Sequence, residues 1–101
     1  MEIVIEDKTI ASVDFSNAET AWKIEEAIYV LEYLRNENKI VLGGDILTKN
    51  LEHNYDSWYY NIERDKSALF NVEKSSHIAI EYILNYIRVK GNAFFVIFVV
   101  E

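Results

Sequence analysis

A chain of 101 residues with 10 basic and 17 acidic side chains, net −7, has room for one domain and no second. Half of it is hydrophobic and 14% aromatic, too apolar for intrinsic disorder, and the absence of cysteine excludes a disulfide framework and thiolate metal sites. The acidic balance argues against a nucleic-acid backbone or an anionic membrane surface as partner, since both require clustered Lys and Arg.

Met1 to Asp7 has no basic run and only three consecutive apolar residues, so it does not read as a signal peptide. The longest apolar run, Ala93 to Val100, falls far short of the ~20 residues of a membrane helix. A cytoplasmic setting is expected. Glu2 to Glu6 is β-branched and reads as a strand, turned at Asp7-Lys8 into a second short strand, Thr9 to Val13. Ser16-Asn17-Ala18-Glu19 has the capping-box pattern. From Ala18 to Asn36 the spacing predicts a helix whose core stripe is Ala21, Ile24, Ala27, Ile28, Leu31 and Leu34.

Lys39 to Leu42 reads as a strand, and Gly43-Gly44-Asp45 as a turn or bulge that interrupts it. Trp58 to Ile62 is rich in strand-favouring aromatics and ends in a charged turn, Glu63 to Lys66. A second helix is predicted from Val72 or Ser76 to Lys90, with His77, Glu81, Asn85 and Arg88 as its polar strip. Arg88 and Lys90 suit its negative end, and Gly91-Asn92 can take the left-handed turn. Ala93 to Val100 is a strand apolar on both faces. The order β(β)αββαβ predicts a two-layer α+β fold with two main helices and an antiparallel or mixed sheet of about four or five strands. A ferredoxin-like arrangement shares this order but leaves the last strand at an edge, where so apolar a segment invites aggregation. The strand is therefore central, or its edge is covered.

Little in the chain carries reaction chemistry. His53 and His77 sit in different elements without a ligand partner at metal-binding spacing. There is no Gly-rich phosphate loop and no nucleophile elbow. Gly43-Gly44-Asp45 resembles the start of the cyclic-dinucleotide synthase signature, but Ile46-Leu47 replaces its Glu-Phe and the chain is too short for that domain. No enzyme, cofactor or metal is expected.

The informative feature is the back of the first predicted helix. At ~100° per residue, Trp22, Tyr29 and Tyr33 lie opposite the aliphatic stripe, among Glu25, Glu26, Glu32 and Glu37. Aromatic side chains bury much area at little entropic cost, and carboxylates around them suit a partner rich in Arg and Lys. Residues 1–50 carry ten acids and five bases, net −5, whereas 51–101 carry seven and five, net −2. The alternative is that another segment folds over these aromatics.

Ile40-Val41-Leu42-Gly43-Gly44-Asp45, followed by Ser57-Trp58-Tyr59-Tyr60, resembles the small α+β immunity proteins of bacterial polymorphic toxin systems. Members are encoded beside a toxin and bind it to block its active site, without catalysis or cofactor. The resemblance implies a role, in binding or in the fold, for Gly43, Gly44, Asp45, Trp58 and Tyr60. The combined expectation is an inhibitor of a basic toxin domain that acts through Trp22, Glu25, Glu26, Tyr29, Glu32, Tyr33, Asp45, Trp58 and Tyr60. The second reading is a small dimeric ligand-binding or regulatory domain, paired through an edge strand.

Overall fold

The computed structural model describes residues 2–5, 7–15 and 19–101. β1 (Glu2–Ile5) and β2 (Lys8–Ala11) form a separate antiparallel hairpin in which Ile3 faces Ile10, both buried. Asp7 takes the left-handed conformation (φ 64°) that so tight a turn requires. This is the expected hairpin, although Glu6 lies outside the described residues. β3 (Val13–Phe15) and β4 (Glu19–Lys23) form a second hairpin, followed by a 3-10 turn at Ile24–Glu26 and helix α1 (Ala27–Asn36). β5 (Val41–Thr48), β6 (His53–Tyr59), α2 (Ala68–Lys90) and β7 (Phe94–Val100) complete the chain. The main sheet is antiparallel, in the order β3-β4-β7-β5-β6.

The α+β class and the order of the later elements follow the sequence reading, and three local expectations are corrected. The first concerns the helix expected from Ala18, which begins at Ala27. Glu19–Lys23 is a strand instead, paired on one side with β3 and on the other with β7 through Trp22↔Val96 and Lys23↔Phe95. A short apolar run fits either period, and pairing on both sides decides it. The Ser16-Asn17-Ala18 part of the expected capping box lies outside the described residues. Second, β5 runs unbroken through Gly43-Gly44-Asp45, which is strand and not turn. The bulge half of that expectation survives, because the register with β7 shifts between Val41 and Gly43. Third, the aromatic strand is His53–Tyr59, five residues ahead of its expected start, and α2 begins at Ala68 behind an N-cap at Ser67, whose Oγ accepts from Phe70 N at 3.0 Å.

β7 is central, so the strand order is not the ferredoxin-like one. Its apolar character on both faces now has a cause. Phe94, Val96 and Phe98 face the helices with Trp22, Ile24, Leu31, Ile46, Ile83 and Tyr86, while Phe95 and Ile97 face a smaller cluster with Ala21, Leu47 and Leu51. The expected stripe of the first helix is core: Ala21, Ile24, Ala27 and Leu31 are buried, and Ile28 and Leu34 pack at the margin.

Small residues bring α2 close to the sheet. Ser75 and Ala79 are fully buried on its inner face, and Ser75 Oγ accepts from Val41 N at 3.0 Å while bonding the Val72 carbonyl. Buried Asn71 clamps the segment before the helix: its Oδ1 accepts from Tyr60 OH and Glu63 N, and its Nδ2 donates to the Glu63 and Ser67 carbonyls. A buried amide satisfied on every side stabilises, whereas a half-satisfied one costs.

Trp58 lies against Gly44. A Cβ on Gly44 would sit 2.6 Å from Trp58 Cζ3 and 2.7 Å from the Ile97 carbonyl oxygen. The indole stacks on Tyr82 at 4.8 Å between centroids and meets Phe98 edge-on at 6.0 Å, though its N–H is buried without a partner among the described residues. Overpacking such a site costs about 1–3 kcal/mol. Gly44→Ala is therefore expected to lower the stability of the chain by about 2–3 kcal/mol. Urea unfolding with an unchanged m-value would report it, and a loss under about 0.5 kcal/mol would mean that the indole has room to move.

Candidate partner-binding surfaces

The acidic residues expected on the first helix are divided between two elements. Glu25 and Glu26 belong to the 3-10 turn, exposed and partly buried respectively, while Tyr29, Glu32 and Tyr33 are partly buried on α1. Glu25, Glu26 and Tyr29 share a shallow polar hollow with Lys8, Thr9 and Lys23. Lys8 Nζ donates to Tyr29 OH at 3.0 Å and lies 4.3 Å from its ring centroid. The hairpin β1–β2 thus supplies a cation to this face, as a segment folding over the aromatics would. Tyr33 OH reaches Glu37 Oε1 at 3.5 Å.

Three of the expected anchors face inward. Trp22 on β4, Trp58 on β6 and Tyr60 after it are each 5–6% exposed. Trp22 was expected on the back of a helix; as a strand residue two positions before the 3-10 turn it points into the core beside Val96. Tyr60 is burdened by desolvation, which pushes its phenol above the ordinary range, with Glu63 adding to the rise. Asp45 is partly buried on β5, across from Ser57 and Ile97. Among the described residues its carboxylate has no hydrogen-bond or ion-pair partner.

The two most exposed aromatics among the described residues were missed. Tyr55 and Tyr59 on the edge strand β6 are 94% and 81% exposed. Strand alternation is the signal that separates them from the expected pair: with Trp58 inward, Tyr59 must point outward. Tyr55 needed more than alternation. The β5–β6 register shifts between Asp45↔Ser57 and Leu47↔His53, and Tyr55 takes φ 59° within that irregularity. Asn54 and Asp56 on either side turn toward α2, where Tyr86 OH donates to Asp56 Oδ2 at 2.7 Å and Asn54 Nδ2 lies 2.7 Å from the same hydroxyl. Holding its neighbours inward leaves Tyr55 outside.

A cleft of about 510 Å³ opens where β4 leaves β7. Beyond the pairs at Trp22 and Lys23, β4 follows β3 through Val13↔Ala21 and Asp14↔Thr20. The gap is walled by Trp22, Val30, Tyr33 and Leu34 on the helix side, with Asp45 and β7 residues Ile97 to Val100 along it. It brings together Trp22, Tyr33 and Asp45 of the expected set, apart from the Glu25–Tyr29 hollow.

Both histidines are exposed, and His77 Nε2 lies 3.2 Å from Glu81 Oε1. Among the described residues no three His, Asp or Glu side chains gather closely enough to hold a metal ion. No described helix is long and apolar enough to cross a membrane.

The family comparison is specific: the model described as Immunity protein 40 matches residues 9–100, and the chain belongs to this family of bacterial toxin immunity proteins. Searches of curated proteins and of solved structures returned no match.

The clamp on the β6 irregularity gives a pH prediction. Burial first, then the Asp56 carboxylate, pushes the Tyr86 phenol from 10.0 up to about 12. Between those values the unfolded chain loses a proton that the folded chain keeps, so this contribution is complete below pH 10 and lost as pH rises through 12. Burial raises Tyr82 in the same direction. The melting temperature is expected to fall more steeply between pH 10 and 12 in the wild type than in Tyr86→Phe; parallel curves would show that the phenol does not carry the dependence.

Proposed function

We propose that this chain neutralises a cognate bacterial toxin by tight, stoichiometric binding, without catalysis or cofactor, in the cytoplasm of the cell it protects. Membership of the Immunity protein 40 family over residues 9–100 is the observation that carries the reading. The toxin domain is basic on this reading, for the chain carries net −7 with its acidic excess concentrated in residues 1–50. Such a pairing speeds encounter and weakens with salt. The acidic, aromatic-containing contact surface comprises Glu25, Glu26, Tyr29 and Glu32 on the 3-10 turn and α1, with Tyr33 and Asp45 at the neighbouring cleft. Of the buried aromatics, Trp22 lines that cleft, while Trp58 and Tyr60 hold the other end of the sheet against Tyr82 and Asn71.

The test is co-expression with the toxin domain encoded beside this chain, together with calorimetry of the purified pair at low and high salt. Cells that make the toxin domain are expected to grow only when this chain is made with it, and the purified pair to form a one-to-one complex whose affinity falls as salt rises. The double change Glu25→Lys and Glu32→Lys is expected to weaken binding at least tenfold, about 1.4 kcal/mol. Unchanged affinity in that variant would move the contact off this surface. No rescue by the wild type would remove the inhibitor reading itself.

A further inference from the structure

The gap between β4 and β7 is more than a hollow, because one of its walls is a strand whose ladder is incomplete. Backbone polar groups alternate sides along a strand, and Glu101 exchanges both of its bonds with Ile40, at 3.1 and 2.9 Å. Counting back, Val99 and Ile97 also turn toward β5, whereas Val100 and Phe98 turn the other way, toward the side that β4 has left. Among the described residues β4 pairs with β7 only at Val96 and Phe95. The side chains at the strand end beside the gap are apolar and exposed: Val99 is 49% and Val100 41% exposed. A ladder edge of this kind is a template for an added strand.

We propose that the gap receives an extended segment of the toxin, added as a strand along Ile97 to Val100, with a Lys or Arg of that segment reaching Asp45. This rests on the inhibitor reading above and names the chemistry of the segment bound. Three observations converge on a peptide. The backbone positions of Phe98 and Val100, unpaired with β4 among the described residues, are matched by another backbone, which a small metabolite does not offer. The aliphatic and aromatic wall of Trp22, Val30, Leu34 and Phe98 takes apolar side chains or the stem of a long basic one. At the gap's edge the Asp45 carboxylate, cross-strand from Ile97, has no partner among the described residues. Charge also decides between occupants. A second copy would bring another chain of net −7 to this carboxylate, and a basic segment would neutralise it.

The experiment is amide hydrogen exchange by NMR on the wild-type chain, free and bound to the toxin domain encoded beside it. It is paired with affinities for Asp45→Asn and Asp45→Lys, each checked for a wild-type circular dichroism spectrum. In the free chain Phe98 and Val100 amides are expected to exchange much faster than those of Ile97 and Val99. On binding, the first pair should be slowed at least a hundredfold. Asp45→Asn should weaken the complex about tenfold and Asp45→Lys more. If the toxin binds while Phe98 and Val100 keep their free rates, the segment docks elsewhere and the inference falls, though the inhibitor reading stands. Slow exchange at both amides in the free monomer overturns it too, since the edge is then closed. Protection in the free chain that grows with concentration, alongside a dimer in sedimentation, gives the edge to a second copy and likewise overturns it. A wild type that does not bind the toxin removes the inhibitor reading and this inference together. Should either Asp45 variant misfold, exchange in the wild type decides alone.

Discussion

The arrangement of this molecule turns on a missing side chain. Because Gly44 has no Cβ, the Trp58 indole can lie flat on β5, where any larger residue would meet both the ring and the Ile97 carbonyl. The indole then carries a row of rings across the layer between sheet and helix. Tyr82 stacks on it, Tyr86 lies 6.0 Å beyond, and Phe94 of β7 meets Tyr86 edge-on at 5.2 Å. Tyr86 closes the sequence of contacts by holding Asn54 and Asp56, so the outward turn of Tyr55 traces back to a glycine on the neighbouring strand. Offset and edge-to-face pairs contribute about 0.5–1.5 kcal/mol each beyond their buried area. Their larger effect here is to fix where α2 sits.

This interior explains how an immunity-family fold can be held together in so small a chain. The parts that need precision are inside, where packing and satisfied polar groups such as Asn71 hold them. Surface features are then free to differ in character. The hollow at Glu25, Glu26 and Tyr29 mixes acids with Lys8 and Lys23, while the open side of the sheet carries Tyr55 and Tyr59. Rigid tyrosines on an edge strand lose little entropy when covered, and a supported backbone needs little reordering to meet a partner.

The parts of the fold legible in the sequence were those governed by local signals. The hairpin at Asp7, the core stripe from Ile24 to Leu34, the stop of α2 at Gly91 and the apolar β7 all rest on turn chemistry or periodicity. Glu19–Lys23 was not legible as strand, because its helical spacing is real and only pairing with β3 and β7 overrides it. That one substitution of strand for helix moved Trp22 from an expected surface anchor to the core. At Trp58 and Tyr60 the residue types were read well but not which way they point. A strand's two faces alternate, and nothing local says which face the helices will cover. Tyr55 depended on an irregularity in pairing between distant segments, which no window of sequence contains.

The position of β7 sets the order in which the molecule can come together. β3–β4 and β5–β6 are each local hairpins, able to form early from neighbouring residues, and β7 is the strand that joins them. It follows both in the chain, and its partners on one side lie more than seventy residues away: Trp22↔Val96 and Lys23↔Phe95. Closing that contact costs loop entropy before any burial rewards it, a topology that slows folding and makes it all-or-none. During synthesis the two halves of the sheet have no strand to pair them until Phe94–Val100 has emerged. A nascent or truncated chain lacking that segment would not be a weaker version of this protein. It would be three hairpins and two helices without the strand that joins β4 to β5.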